Sequence, residues 1–168
     1  MSLAYTLLLL AVLAIGVLAF LRWREAQPEF APLQTKPDDP LMLEAMKLAR
    51  ERLPQFQDLL SRPYESALVK LNFVSSTNQV EHLWAEVLEK LESGELGVRL
   101  VTPPVTHEGE LERLQRCSFD DVEDWQVRAA DGKLYGGFTQ RAMFAIARRE
   151  GIELPKKLLE QERQYSDA

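Results

Sequence analysis

Apolar residues fall into blocks of different period along this chain, and the period predicts the elements. Leu3 to Leu21 carries no charge in nineteen residues. As a helix it would extend about 29 Å, close to the hydrocarbon thickness of a bilayer, so one transmembrane pass is expected, with 1–24 as the anchor. Residues 25–38 show no period and place prolines at 28, 32 and 37. That is a linker, semi-extended at about 3.1 Å per residue and able to hold a domain up to about 40 Å from a membrane.

The folded domain is expected over 39–154. Asp39 as N-cap, Pro40 at the first helical position and Glu44 in the opening turns start a helix. Its apolar face holds Leu41, Ala45, Leu48 and Ala49, with Met42 and Met46 beside them as core filler. Pro54 interrupts, and Phe56, Leu59 and Leu60 continue a second short helix to Pro63. Ala67, Val69, Leu71 and Phe73 then alternate with Leu68, Lys70, Asn72 and Val74, the mark of a strand with one buried face, and Thr77-Asn78 turns the chain.

Residues 80–91 fit two templates. Val80, Leu83, Trp84, Val87, Leu88 and Leu91 have helical spacing, while Leu83, Ala85 and Val87 also alternate; the pattern alone favours helix. A turn at Ser93-Gly94-Glu95 leads to a strand, "LGVRLVTPP", ended by Pro103-Pro104, and a polar connection containing His107 follows. "RCSFDDVEDWQVRAA" is extended, Asp131-Gly132 closes a hairpin, and "KLYGGF" returns. Thr139 is expected to cap a last helix that Gly151 stops, leaving 155–168 as a charged tail with helical tendency.

Charge narrows the function classes. Beyond residue 24, Lys+Arg falls from 20 to 18 against 26 Asp+Glu, a balance of −8. No basic stripe interleaved with aromatics offsets it, which argues against nucleic-acid binding. Cys117 is the one cysteine, so no internal disulfide or thiolate cluster is available, and it is expected to be a small buried strand residue. Arg22 and Arg24 flank Trp23 directly after the apolar run, which by the positive-inside rule puts the domain in the cytoplasm of a bacterial inner membrane. A periplasmic domain remains the alternative, since Val17-Leu18-Ala19 has the form of a signal-peptidase site, although no basic residue precedes the apolar run.

Ordered short motifs, "VKLNF", "EHLWAEVL", "GELGVRLVTPP", "VEDW" and "DGKLYGGFTQR", together resemble the bacterial YegJ-like family, the domain of unknown function numbered 2314, over about residues 40–142. The resemblance implies that "EHLW" is a strand, so residues 80–91 would join a sheet. It also implies no particular activity. Family members tend to carry a Gly-Asp pair before the "DW" motif, where this chain has "EGELERLQRCSF". The expected fold class is therefore α+β: an N-terminal transmembrane helix, then a helix packed on a bent antiparallel sheet, with a C-terminal helix.

No catalytic constellation emerges. His82 and His107 are the only histidines, and neither recurs with acids or a nucleophile at a ligand or triad spacing; no P-loop, GxSxG or HExxH occurs. Asp120-Asp121 and Glu123-Asp124 are consecutive acids, and consecutive strand residues point to opposite faces, so neither pair is expected to converge. Neither a metal nor a cofactor is implied. The candidate binding residues are Asp124, Trp125, Tyr135, Gly136, Gly137 and Arg141, with Asp124 pairing to Arg141 at the sheet end and Trp125 and Tyr135 lining a groove beside the glycines. The functional expectation is a membrane-anchored, non-enzymatic accessory or regulatory domain that binds a protein partner. Its rivals are an envelope immunity or inhibitor protein, and a hydrolase that would gather Glu81, Glu86 and Asp124.

Overall fold

The computed structural model describes residues 38–101, 104–105 and 111–166. The expected transmembrane helix, all of the linker but Asp38, and His107 lie outside them. No helix among the described residues is long and apolar enough to cross a membrane.

Two helices lead the domain, α1 (Pro40–Glu51) and α2 (Leu53–Leu60). Asp39 caps α1 through its own side chain, which accepts the Leu41 N–H at 3.0 Å, and Pro40 follows at a position where no amide is needed. The buried stripe of α1 is Met42, Ala45 and Ala49; Leu41, expected on that face, is 39% exposed. Six strands follow: β1 (Tyr64–Val74), β2 (Val80–Lys90), β3 (Leu96–Leu100), β4 (Leu114–Cys117), β5 (Val122–Ala129) and β6 (Leu134–Gly136). They form one sheet in the order β4-β3-β2-β1-β5-β6, and every neighbouring pair is antiparallel. The chain thus runs as a meander to the β4 edge and returns to the far side of β1. Helices α3 (Phe138–Arg149) and α4 (Lys156–Glu162) close it.

Residues 80–90 are strand, as the family resemblance implied and the hydrophobic pattern did not. Leu83, Ala85 and Val87 are buried, but Trp84 is half-buried and Leu88 lies open on the other side. Apolar residues on both faces of a strand imitate a helical period. The long extended stretch expected from Arg116 onward is instead divided into β4, a 3-10 turn at Phe119–Asp121, and β5. That turn is held by a capping box between Ser118 and Asp121.

One sheet face makes the core. Ala67, Val69 and Leu71 of β1, Leu83, Ala85 and Val87 of β2, Leu96, Val98 and Leu100 of β3, and Trp125 and Val127 of β5 are all buried there with Phe56 of α2. Phe56 stacks on Trp125 with ring centroids 5.2 Å apart, and Phe138 meets Trp125 edge-on at 5.6 Å. The Trp125 indole N–H donates to the Ala49 carbonyl at 3.0 Å, which fixes α1 over the sheet without an unsatisfied polar atom. Met42 and Ala45 meet Ala142 and Ile146 in a smaller cluster between α1 and α3. Asp39 joins the start of α1 to the end of α3 through Arg149. The opposite face, bearing Lys70, Asn72, His82, Trp84, Glu86 and Arg99, is half-buried to exposed.

Cys117 is buried, as expected; burial, then the charges of Asp121 and Glu95, push its thiol up to about 11.

Candidate functional site

The chemistry of the open face begins with a fault in the β1–β5 ladder. Lys70 pairs with Asp124 and Leu71 with Val122, so Glu123 is an extra residue, a β-bulge. Val122 and Trp125 both remain in the core. The bulge absorbs the two residues between them, with Glu123 half-buried beside His82 and Asp124 fully buried against the start of α3. Glu123 and Asp124 were not expected to converge, and each serves different partners, although the inserted residue breaks the strict alternation.

Glu123 meets His82 across β1. The His82 Nδ1 lies 2.6 Å from one carboxylate oxygen, and the Asn72 amide donates to the other at 3.3 Å. Asn72 and His82 are register partners on β1 and β2, so their side chains share this face. Half-burial pushes the Glu123 carboxyl up, but the hydrogen bond and charge of His82, the Asn72 amide and the charge of Lys70 outweigh it and hold the group below the ordinary carboxylate range. An imidazole that gives Nδ1–H to a carboxylate keeps its lone pair on Nε2 when neutral. That is the orienting half of an acid–base dyad. Asn72 and Lys70 are the other groups that act on Glu123.

Asp124 has a different task. One carboxylate oxygen accepts from the Trp125 N–H at 2.8 Å and the Phe138 N–H at 3.1 Å; the other accepts from the Thr139 N–H at 2.7 Å and the Thr139 hydroxyl at 2.6 Å. Phe138 and Thr139 are the first two residues of α3, whose N-cap position is Gly137, a residue with no side chain to offer. A strand carboxylate therefore caps the helix from outside, satisfying two of its orphan amides and facing its positive end. Thr139, expected as the cap, lies inside α3, and its hydroxyl serves Asp124. Burial pushes the Asp124 carboxyl up, against the hydrogen bonds of Thr139 and Trp125 and the charge of Lys70. The Lys70 ammonium donates to the Thr139 hydroxyl oxygen at 3.4 Å, linking the buried acid to the open face.

The other candidate residues are brought close together around β6 and the start of α3. Trp125 is fully buried and lines no groove. Tyr135 is half-buried and packs against the main core. Gly136 (φ +78°) lies on Trp125, where a Cβ would fall 2.2 Å from the Trp125 carbonyl oxygen. Gly137 gives its N–H to that carbonyl at 2.6 Å. Arg141 does not pair with Asp124; its guanidinium lies 5.9 Å from the Tyr165 ring centroid, while the four donors above occupy the acid. A groove of about 490 Å³ does run between α1 and α3, over Leu41, Leu48, Phe138 and Ala142, and Gly136 and Arg141 are among its lining. The three acids of the hydrolase reading each have a partner of their own. Glu81 accepts the Val105 N–H, Glu86 is paired with Arg99, and Asp124 is buried at α3.

The bacterial family described as "Uncharacterized protein conserved in bacteria (DUF2314)" matches residues 39–151. The chain belongs to DUF2314. No curated protein and no solved structure matches it. The DUF2314 match starts at Asp39, the cap of α1, and stops at Gly151, which follows α3 with φ +69°. It therefore covers both helix clusters, the sheet and the His82–Glu123 pair, and leaves α4 and Tyr165 outside. The sequence offered one signal for this pair: once "EHLW" is read as strand, His82 and Trp84 share a face. Nothing local announced the bulge that delivers Glu123 to it.

Proposed function

We propose that this chain is a membrane-anchored, non-enzymatic accessory module that binds a protein partner on the open face of its sheet. Residues 1–24 serve as the anchor and 25–38 as the linker, with the domain on the cytoplasmic side. The observation that carries the reading is the arrangement around Trp84. This half-buried indole has Lys70 as its register partner, the Glu86–Arg99 ion pair on one side and the His82–Glu123 pair on the other. A large aromatic inside a rim of already paired polar groups is how binding surfaces concentrate affinity while keeping charges compensated. The −8 balance beyond residue 24 favours a basic partner, drawn in by a field that salt weakens. An immunity or inhibitor protein would be one form of the same module, its basic partner a toxin.

Two experiments test the two halves. A photo-crosslinking amino acid at Leu88, exposed on β2, should give one discrete adduct in cells, weakened by high salt, while the same group at Leu43, exposed on α1, gives none. Equal yields from both positions, or no adduct from either, would refute the binding face. For topology, Cys117→Ser with Lys156→Cys places a single thiol at an exposed position. Protection from an impermeant maleimide until the inner membrane is lysed is expected; labelling before lysis would put the domain in the periplasm.

A further inference from the structure

The segment after the matched family region returns to the domain and adds to its sheet. Leu134 of β6 gives its N–H to the Gln164 carbonyl at 3.0 Å and accepts the Ser166 N–H at 2.8 Å. This bridge between Leu134 and Tyr165 is parallel, whereas every ladder of the sheet is antiparallel. Tyr165 then fills a shaped place. Its ring lies where a Cβ on Gly137 would fall 2.6 Å away, its hydroxyl donates to the Gln126 side-chain carbonyl at 2.6 Å, and Arg141 and Phe144 flank it.

We propose that the outer edge of β6 is a docking track for an extended peptide carrying a tyrosine, and that residues 164–166 are its intramolecular occupant, displaced when a partner's segment arrives. This goes beyond the open-face reading and uses a different surface. The track reads backbone through one residue, Leu134, whose N–H and C=O are both satisfied by the added strand, which is the logic of strand addition at a sheet edge. It reads a side chain through the tyrosine place, where only a glycine at 137 leaves room. Elsewhere the seated segment is held by Arg128, which donates to the Gln164 side-chain carbonyl at 3.0 Å. The α4 helix that delivers it buries no residue, and its Arg148–Glu162 pair lies at the surface, where ion pairs contribute little. The matched family region ends at Gly151, so the segment that covers this edge lies beyond it. The occupant of such an edge is a peptide with a hydroxyl-bearing ring for Gln126 and a free N–H one residue later, so proline is excluded there.

The probe is a fluorescent peptide of residues 160–168, titrated by anisotropy against the full chain in detergent and against a chain ended at Arg163. The shortened chain should bind at least tenfold more tightly than the full chain, whose edge is filled. A Tyr165→Ala or Ser166→Pro change in the peptide should cost at least tenfold. A Gly/Ser peptide built around a single tyrosine should still compete, because the track reads the ring and the backbone. Equal binding to both chains, no binding to a shortened chain with a native near-UV spectrum, or failure of the Gly/Ser peptide overturns the proposal. If the shortened chain does not fold, Tyr165→Ala in the full chain decides: a tenfold gain in peptide binding supports the track, and no gain, or unfolding of this variant too, shows the segment to be part of the fold.

Discussion

Replacing Asp124 with alanine would remove the external cap of α3 from a site that is fully buried. Four donors lose their acceptor at once: the N–H groups of Trp125, Phe138 and Thr139, and the Thr139 hydroxyl. Each unsatisfied buried donor costs about 1–3 kcal/mol, and loss of a helix cap alone about 0.5–2 kcal/mol. Against this stands relief of the carboxylate's own desolvation, the same burial that pushes its pKa up. The hydroxyl can rotate to another acceptor and water can enter the space left by the side chain, so the upper sum is not reached. A net loss of about 4 kcal/mol follows, which for a domain of this size lowers Tm by about 12–20 °C. The measurement is urea unfolding followed by the fluorescence of buried Trp125, with calorimetry for Tm. Thr139→Val, which removes one donor and keeps the amide, should cost about 1 kcal/mol, and in the double variant most of that cost should vanish because the partner is already gone. A loss below about 1 kcal/mol for Asp124→Ala, or full additivity with Thr139→Val, would refute the capping account.

The glycines provide a paired test: Gly136→Ala forces a Cβ to 2.2 Å from the Trp125 carbonyl and should destabilise by more than about 3 kcal/mol, whereas Gly132→Ala, also at positive φ but facing open space, should cost about 1 kcal/mol, both read from denaturant midpoints. Glu123 is held below the ordinary carboxylate value of 4.5, so its contribution is complete above that pH and is lost as pH falls through the lowered folded value; Glu123→Gln should flatten this part of the stability profile, measured by Tm between about pH 6 and 3. Cys117, buried and with its thiol raised to about 11, should react with an aromatic disulfide reagent at neutral pH only at the rate of unfolding, so that rapid labelling of native protein would contradict its burial.

Local rules were legible wherever local groups do the work. Asp39-Pro40 began α1, Asp131-Gly132 closed the β5–β6 hairpin, Gly151 ended α3, and the alternation of β1 identified its buried face. Reading failed where a distant group replaced a local one. No scan for N-caps finds Asp124, fourteen residues before the amide it caps, and Thr139 attracted the assignment because it is the nearest residue of a capping type. Strand β4 was hidden because, of its four residues, only Cys117 is buried. The His82–Glu123 pair needed both the strand assignment of β2 and the bulge in β5, and of these only the first left a trace in sequence, through the family resemblance.

The strand order also sets a schedule for synthesis. β1 lies between β2 and β5: its first neighbour leaves the ribosome almost at once, but the second is separated from it by roughly fifty residues, about 2–10 s of elongation. Throughout that interval β1 presents one complete edge and, on its inner side, Ala67, Val69 and Leu71, of which Val69 later pairs with Trp125. The nascent domain is therefore most vulnerable to wrong pairing before β5 emerges. A variant that slows translation between Val74 and Val122 should lower the yield of folded protein without altering the stability of the molecules that complete it.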